Sequence, residues 1–209
     1  YRNIKKMKKL FALLTFVTLT SCNMNSSTQE TSSDETFSAK DSMYNILVDE
    51  SLITWTGKEL SSKLHYGTIN LISGNFEISA GLISKGEFVV DMTTIINQDL
   101  PQERRARLEN HLKSEDFFFV ESYPEAKISI SESEIIAEGK WLVLGELTIK
   151  SYTHPIQFEM SNSQEGWKAN LVFDRSKYEV RFRSGTFFEN LGDKLIYDDI
   201  ELAINLKTL

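Results

Sequence analysis

The chain has 209 residues, 41% hydrophobic and 25% charged, a composition suited to one sizeable globular domain. Its formal charge of −7 makes nucleic acid and anionic bilayer surfaces poor partners. No apolar run reaches the ~18 residues of a membrane-spanning helix, and a single cysteine, Cys22, excludes an intrachain disulfide.

The first element is "KKMKKLFALLTFVTLTSC". A lysine-rich start, an apolar run from Leu10 to Leu19 and small residues after it form the layout of a secretory signal peptide, assigned to residues 1–21. Met7 is the expected start, which leaves residues 1–6 as upstream translation. Leu19-Thr20-Ser21-Cys22 resembles the bacterial lipobox, in which small residues precede a cysteine that receives lipid. The alternative is an ordinary signal peptide with a chance cysteine. An odd cysteine in a secreted chain calls for an explanation, and acylation of Cys22 supplies one. The expected location is therefore the bacterial cell envelope, with the protein lipid-anchored at Cys22 and facing the periplasm. Two or three acyl chains hold far better than one. Cleavage removes Arg2, Lys5, Lys6, Lys8 and Lys9 and no acid, which takes the charge from −7 to −12. Membrane contact then depends on the anchor.

Residues 22–43 are rich in Ser, Thr and acids, and such a composition reads as a flexible tether. From Tyr44 the hydrophobic period becomes two, and residues 44–209 form the expected domain. "LITWTGKE" alternates Ile53, Trp55 and Gly57 against polar neighbours. "GTINLISGNFEISAG" reads as two runs around a hairpin at Ser73-Gly74-Asn75. "SKGEFVVDMTT" puts Phe88, Val90 and Met92 on one face.

"LPQERRARLENHLKS" breaks the alternation. Pro101 stands near a helix start, Asp99 is the expected N-cap, and Arg104, Leu108 and Leu112 share a face, so one short helix is expected over residues 101–113. After it come Phe117, Phe118 and Phe119. On an extended segment the outer two point one way and Phe118 the other.

Alternation then resumes. The inward sets are Ile128 and Ile130; Trp141, Val143, Leu147 and Ile149; Ile156, Phe158 and Met160; Leu171 and Phe173; and Ile200, Leu202, Ile204 and Leu206. One apolar and one wet face fits antiparallel sheet. About eight strands with no second helix to cover an open sheet favour closure. The expected fold is all-β: an antiparallel closed β-barrel of about eight strands with one short helix.

Several stretches, in order along residues 44–209, resemble the YceI-like family of polyisoprenoid-binding, lipocalin-like proteins. They are "HYGTINLISGNF", "FVVDMTTI", "HLKSEDFFFVESYPEAKI", "GELTIKSYTHPIQF" and "FDRSKYEV". Two positions depart from the family pattern. Phe119 stands where an acid usually follows the Phe pair, and Ser151 stands where glycine is usual. The resemblance implies an elongated antiparallel closed β-barrel, lipocalin-like, whose cavity takes a long isoprenoid chain.

A dry tunnel suits such a tail, since apolar burial at ~25 cal/mol per Å² is a strong driving term. The candidate ligand-binding residues on the apolar faces are Trp55, Phe76, Phe88, Trp141, Leu147, Phe158, Leu171 and Phe173, with Phe117, Phe118 and Phe119 beside the helix. The bland alternative is that these side chains fill a solid core.

Other chemistry finds little support in the residues. His65, His111 and His154 lie far apart, without metal-ligand spacing. Asp174 and Arg175 read as an ion pair. Arg104, Arg105 and Arg107 read as solvated helix-face residues, with a phosphate or quinone head group at a barrel mouth as the sharper possibility. No nucleophile elbow, P-loop or dinucleotide fingerprint appears, so no catalytic residue and no cofactor is expected. The leading reading is a lipid-binding protein that holds a quinone or polyprenyl phosphate. An enzyme on the same barrel would need a polar cluster inside. A protein-interaction module would have a solid core and an exposed apolar patch.

Overall fold

The computed structural model describes residues 41–209. Cys22, the signal peptide and nearly all of the tether lie outside them. Nine antiparallel strands follow the expected alternation: β1 (Ser42–Asn45), β2 (Leu52–Lys58), β3 (Leu64–Ser79), β4 (Leu82–Asn97), β5 (Glu125–Ala137), β6 (Lys140–Ile149), β7 (Tyr152–Ser163), β8 (Gly166–Asp174) and β9 (Asp199–Leu206). Each strand from β2 to β9 pairs with the next, and β2 also pairs with β9, which closes an eight-stranded barrel. Strand β1 is the first staves' continuation: it pairs with the far half of β3, and a 3-10 turn at Val48–Glu50 separates it from β2. Closure gives each of β2 to β9 a partner on both sides, which removes the two long edges an open sheet would expose.

The one α-helix among the described residues, α1, spans Gln102–Lys113, as the sequence suggests. Its N-cap is Pro101, with no side-chain cap. Asp99, expected in that role, instead accepts from the Tyr66 N–H at 3.0 Å and sits 2.8 Å from His65 Nδ1. The hairpin expected at Ser73-Gly74-Asn75 does not form. Strand β3 runs straight through, with register shifts at Thr68/Asn70 and Leu71/Ser73, and such bulges bend a strand without ending it. The chain reverses at Ala80-Gly81, both with positive φ (51° and 78°), the conformation whose twist matches a two-residue hairpin.

Gly67 of the "HYGT" stretch likewise lies within β3. A Cβ there would fall 1.8 Å from the Ile96 carbonyl oxygen, so only glycine lets β3 and β4 come this close. At the β6–β7 turn the left-handed residue is Lys150 (φ 55°), so Ser151 meets no backbone penalty for not being glycine.

The connections sort by end. The β3–β4, β5–β6 and β7–β8 turns are short and lie at the end where β1 enters. The opposite end carries the two long connections, residues 98–124 with α1 and residues 175–198.

Candidate functional site

The apolar faces of the strands do not meet everywhere. At the short-turn end they fill the barrel. Phe76 is wholly buried, stacked on Tyr44 at 5.0 Å and set edge-on to Trp167 at 4.7 Å. Trp167 meets Trp141 at 5.4 Å, and Trp141 Nε1 donates to the Gly81 carbonyl at 2.8 Å. Ile78, Ile83 and Val143 complete this plug with essentially no exposure.

At the other end the barrel is hollow. A cavity of about 560 Å³ falls within the ~300–1,000 Å³ typical of small-molecule sites. Its wall is apolar side chains from every barrel strand: Ile53 and Trp55 of β2, Leu71 of β3, Phe88 and Met92 of β4, Ile128 of β5, Leu147 and Ile149 of β6, Phe158 of β7, Phe173 of β8 and Leu202 of β9. Its floor is set where Phe88 meets Phe76, ring centroids 6.5 Å apart.

Of the expected ligand-binding residues, Trp55, Phe88, Phe117, Phe118, Leu147, Phe158 and Phe173 line this cavity. Phe76 and Trp141 instead fill the plug, and Leu171 is buried outside the lining. The three phenylalanines behave unlike an extended run. The Phe118 N–H bonds the Leu112 carbonyl and the Phe119 N–H the Ser114 carbonyl, so the chain turns tightly after α1. Phe117 and Phe118 therefore both point inward, at 5% and 9% exposure. Phe119 takes a left-handed φ of 50° and turns outward against Tyr123.

The charged lining residues gather at the long-loop end, which marks the mouth. Helix α1 lies across it, presenting Arg104, Arg107, Leu108 and His111 to the cavity, positions that helical geometry places on one face. The segment 175–198 contributes Phe182, Arg183 and Ile196. Nothing periodic in that segment flags these residues; only the aromatic-basic run Arg181-Phe182-Arg183 could have. Arg105 lies outside the lining and donates to the Leu100 carbonyl at 3.3 Å.

The rim is held by buried polar groups. Arg175 has no exposure and donates to the carbonyls of Val180 (3.0 Å), Ile196 (3.2 Å) and Tyr197 (3.3 Å). Its ionic partner is Asp198 at 3.2 Å, not Asp174 as expected from adjacency. Asp198 Oδ1 lies off the line of any N–H, so the contact is ionic without being a hydrogen bond, while Oδ2 accepts from Ser184 and Thr186 at 2.8 Å each. Asp174 caps the following 3-10 turn by accepting from the Ser176 N–H. Burial lowers the Arg175 pKa, and the Asp198 and Asp174 carboxylates oppose that. Asn97, also fully buried, donates to the Tyr66 carbonyl at 3.1 Å and accepts from the Leu100 N–H at 3.0 Å.

The three histidines occupy separate places. His65 sits against Asp99, and His154 Nε2 lies 2.8 Å from the Lys177 carbonyl. His111 is edge-on to Phe182 at 4.3 Å and to Phe117 at 5.7 Å. Burial lowers its pKa, with Arg183 adding to the shift and Asp116 opposing it. Among the described residues no three His, Cys, Asp or Glu side chains gather in a metal-binding group.

A family model described as the YceI-like domain matches residues 44–208. A UPF0312 protein of Yersinia enterocolitica is 28% identical over 153 residues, 72% of this chain and 76% of its own. BcnA of Burkholderia cenocepacia is similar in structure with a TM-score of 0.60 at 15% identity, covering 77% of this chain and 98% of that one. A polyisoprenoid-binding domain from Saccharophagus degradans gives 0.52 at 15% identity, covering 78% and 95%. At such identities the two structures speak for the fold alone. The family match runs across the barrel from β1 to the end of β9, and the chain belongs to the YceI-like family.

Proposed function

We propose that the protein holds a long-chain isoprenoid, a quinone or a polyprenyl phosphate, in the hollow half of its barrel, for carriage or storage in the cell envelope. The observation that carries this reading is the 560 Å³ apolar cavity behind a polar rim. A barrel with eight strands can be filled by its own side chains, and the plug end of this one is. Leaving the other half hollow forfeits dispersion contacts, and a bound tail restores them. The similar Saccharophagus degradans domain is described as polyisoprenoid-binding, which supports the same class of ligand here.

The role is binding. The lining offers cations and imidazoles at the rim and apolar groups within, an arrangement that orients a head group and shields a tail. The lipobox-like Leu19-Thr20-Ser21-Cys22 supports anchoring through an acylated Cys22, with residues 22–43 as the tether.

Mass spectrometry of an organic extract of protein purified from its native host tests the ligand reading. An isoprenoid at near-stoichiometric yield is expected, and an extract without lipid overturns the reading. Cys22→Ser is expected to release the protein from membranes. A variant that stays bound after a high-salt wash refutes the anchor.

A further inference from the structure

The rim carries more positive charge than its own acids neutralise, in a chain of net charge −7. Two lining cations are satisfied: Lys58 pairs with Glu201, and Lys127 with Glu125 at 3.0 Å. The one lining carboxylate, Glu59, is engaged by Lys63 at 3.7 Å and by the Ser61 hydroxyl at 3.2 Å. Arg104, Arg107 and Arg183 line the same mouth, and none has a carboxylate within 4.0 Å among the described residues.

Arg183 is held in place from both sides. Its guanidinium lies over the Phe182 ring at 5.0 Å, and its carbonyl accepts from the Ile196 N–H at 2.9 Å. Its backbone has a φ of 50°, a conformation that costs a non-glycine residue free energy and persists where the surroundings enforce it.

A second observation points to a polar ligand atom at the same place. The Nε2 of His111 is buried and has no hydrogen-bond partner among the described residues. Buried polar groups are rarely left so. With its pKa lowered by burial, His111 is a neutral ring able to donate from this nitrogen.

A quinone carbonyl is a neutral acceptor that one donor satisfies. Unpaired guanidiniums suit an anion with several oxygens, because planar N–H pairs match phosphate geometry and charge-assisted bonds are the stronger kind. We infer that the rim selects an isoprenoid with an anionic phosphate-type head group over one with a neutral quinone or alcohol head, through Arg104, Arg107 and Arg183, with His111 donating to the same head. This rests on the isoprenoid reading above.

The test titrates the purified protein with geranylgeranyl phosphate, geranylgeraniol and a quinone bearing the same tail, following fluorescence of Trp55, which lines the cavity. The phosphate is expected to bind at least about tenfold more tightly than either neutral ligand, the scale of a few charge-assisted contacts at a partly solvated site. That advantage is expected to shrink as salt rises. In Arg104→Gln/Arg107→Gln, both exposed on α1, and separately in Arg183→Gln, the phosphate-to-alcohol affinity ratio should fall toward one. Equal binding of all three ligands, tighter binding of the quinone, or a ratio unmoved by these substitutions overturns the head-group inference and leaves the isoprenoid reading standing. Binding of none of the three overturns that reading as well.

Discussion

The two ends of one barrel are built from the same strands and held together differently. On β6, Trp141 and Val143 belong to the plug, while Leu147 and Ile149 face the cavity a few residues further on. At the plug end the inward faces interlock and bury no charged or polar residue. Among the described residues, the four buried polar ones, Asn97, Arg175, Ser176 and Ser184, lie at the open end. Side chains around a void cannot hold each other through mutual contact. There, hydrogen bonds from loops to the rim take over the role that packing has below. The lesson is that a ligand cavity moves part of the stability of a fold from apolar contact into directional polar ties.

The largest test removes such a tie. Arg175→Met strips three backbone carbonyls of their donor and leaves Asp198 without its cation, and losing one partner of a buried charged network costs roughly 3–5 kcal/mol. Urea denaturation is expected to show that loss, with ligand binding abolished because Ile196, Phe182 and Arg183 all sit on the segment that Arg175 secures. A stable variant that still binds would mean that the open end is held by something else.

Matched aromatic deletions compare the ends directly. Phe76→Ala opens a hole in a packed plug and is expected to cost ~3–5 kcal/mol. Phe158 is almost as buried, at 6% against 0%, yet one side of it faces the cavity. It has fewer contacts to lose, so Phe158→Ala is expected to cost about half as much or less. Phe76→Ala should also deepen the cavity past Phe88 and favour longer tails. Equal losses at the two sites would erase the distinction between hollow and solid halves.

Additions give the complementary reading. Val143→Trp forces a large ring into the plug, where overpacking costs about 1–3 kcal/mol or more. Leu147→Trp grows into the void, so less than about 1 kcal/mol is expected, together with loss of lipid binding. Thermal melts and ligand titration on the two variants separate the cases. If Leu147→Trp only lowers the melting temperature and no lipid is lost, the carrier reading gives way to an interaction module with a solid core.

The sequence shows the walls of this site better than its depth. Period-two alternation places Trp55, Phe88, Leu147, Phe158 and Phe173 on inward faces, and they do line the cavity. The same alternation places Phe76 and Trp141 inward, where they fill the barrel instead. Periodicity reports which face a side chain takes and is blind to its height along the axis. That height depends on strand register and on where β1 joins β3. The rim is the least legible part. Arg175, Ser184 and Asp198 meet across a loop with no repeating pattern, and hydrogen bonds to backbone carbonyls leave no trace in composition. Phe119 reads as part of an extended run because nothing local announces the left-handed turn that takes it out of line.

The smallest expected effect is a pH dependence confined to the open end. His111 has its pKa lowered from 6.5 in the folded protein, through burial first and through Arg183. Below pH 6.5 the unfolded chain therefore binds a proton that the folded one resists. The unfolded state holds more protons, so stability rises with pH across that window and falls as pH drops from 6.5 toward the folded value. Asp99 adds a second step at lower pH. Burial pulls its carboxyl up, but hydrogen bonds from the Tyr66 N–H, His65 and Asn97 outweigh that and hold it below 3.8. Its contribution is full above pH 3.8 and is lost as pH falls through the folded value. His111 is only partly buried, so its step should be small. His111→Gln should flatten the upper step and leave the lower one. Trp167→Phe, a change within the plug, should lower the whole curve without altering its slope. A pH slope just below 6.5 that persists in His111→Gln would place the responsible group elsewhere, and one that vanishes in Trp167→Phe would show that the two ends do not unfold as the different materials they are.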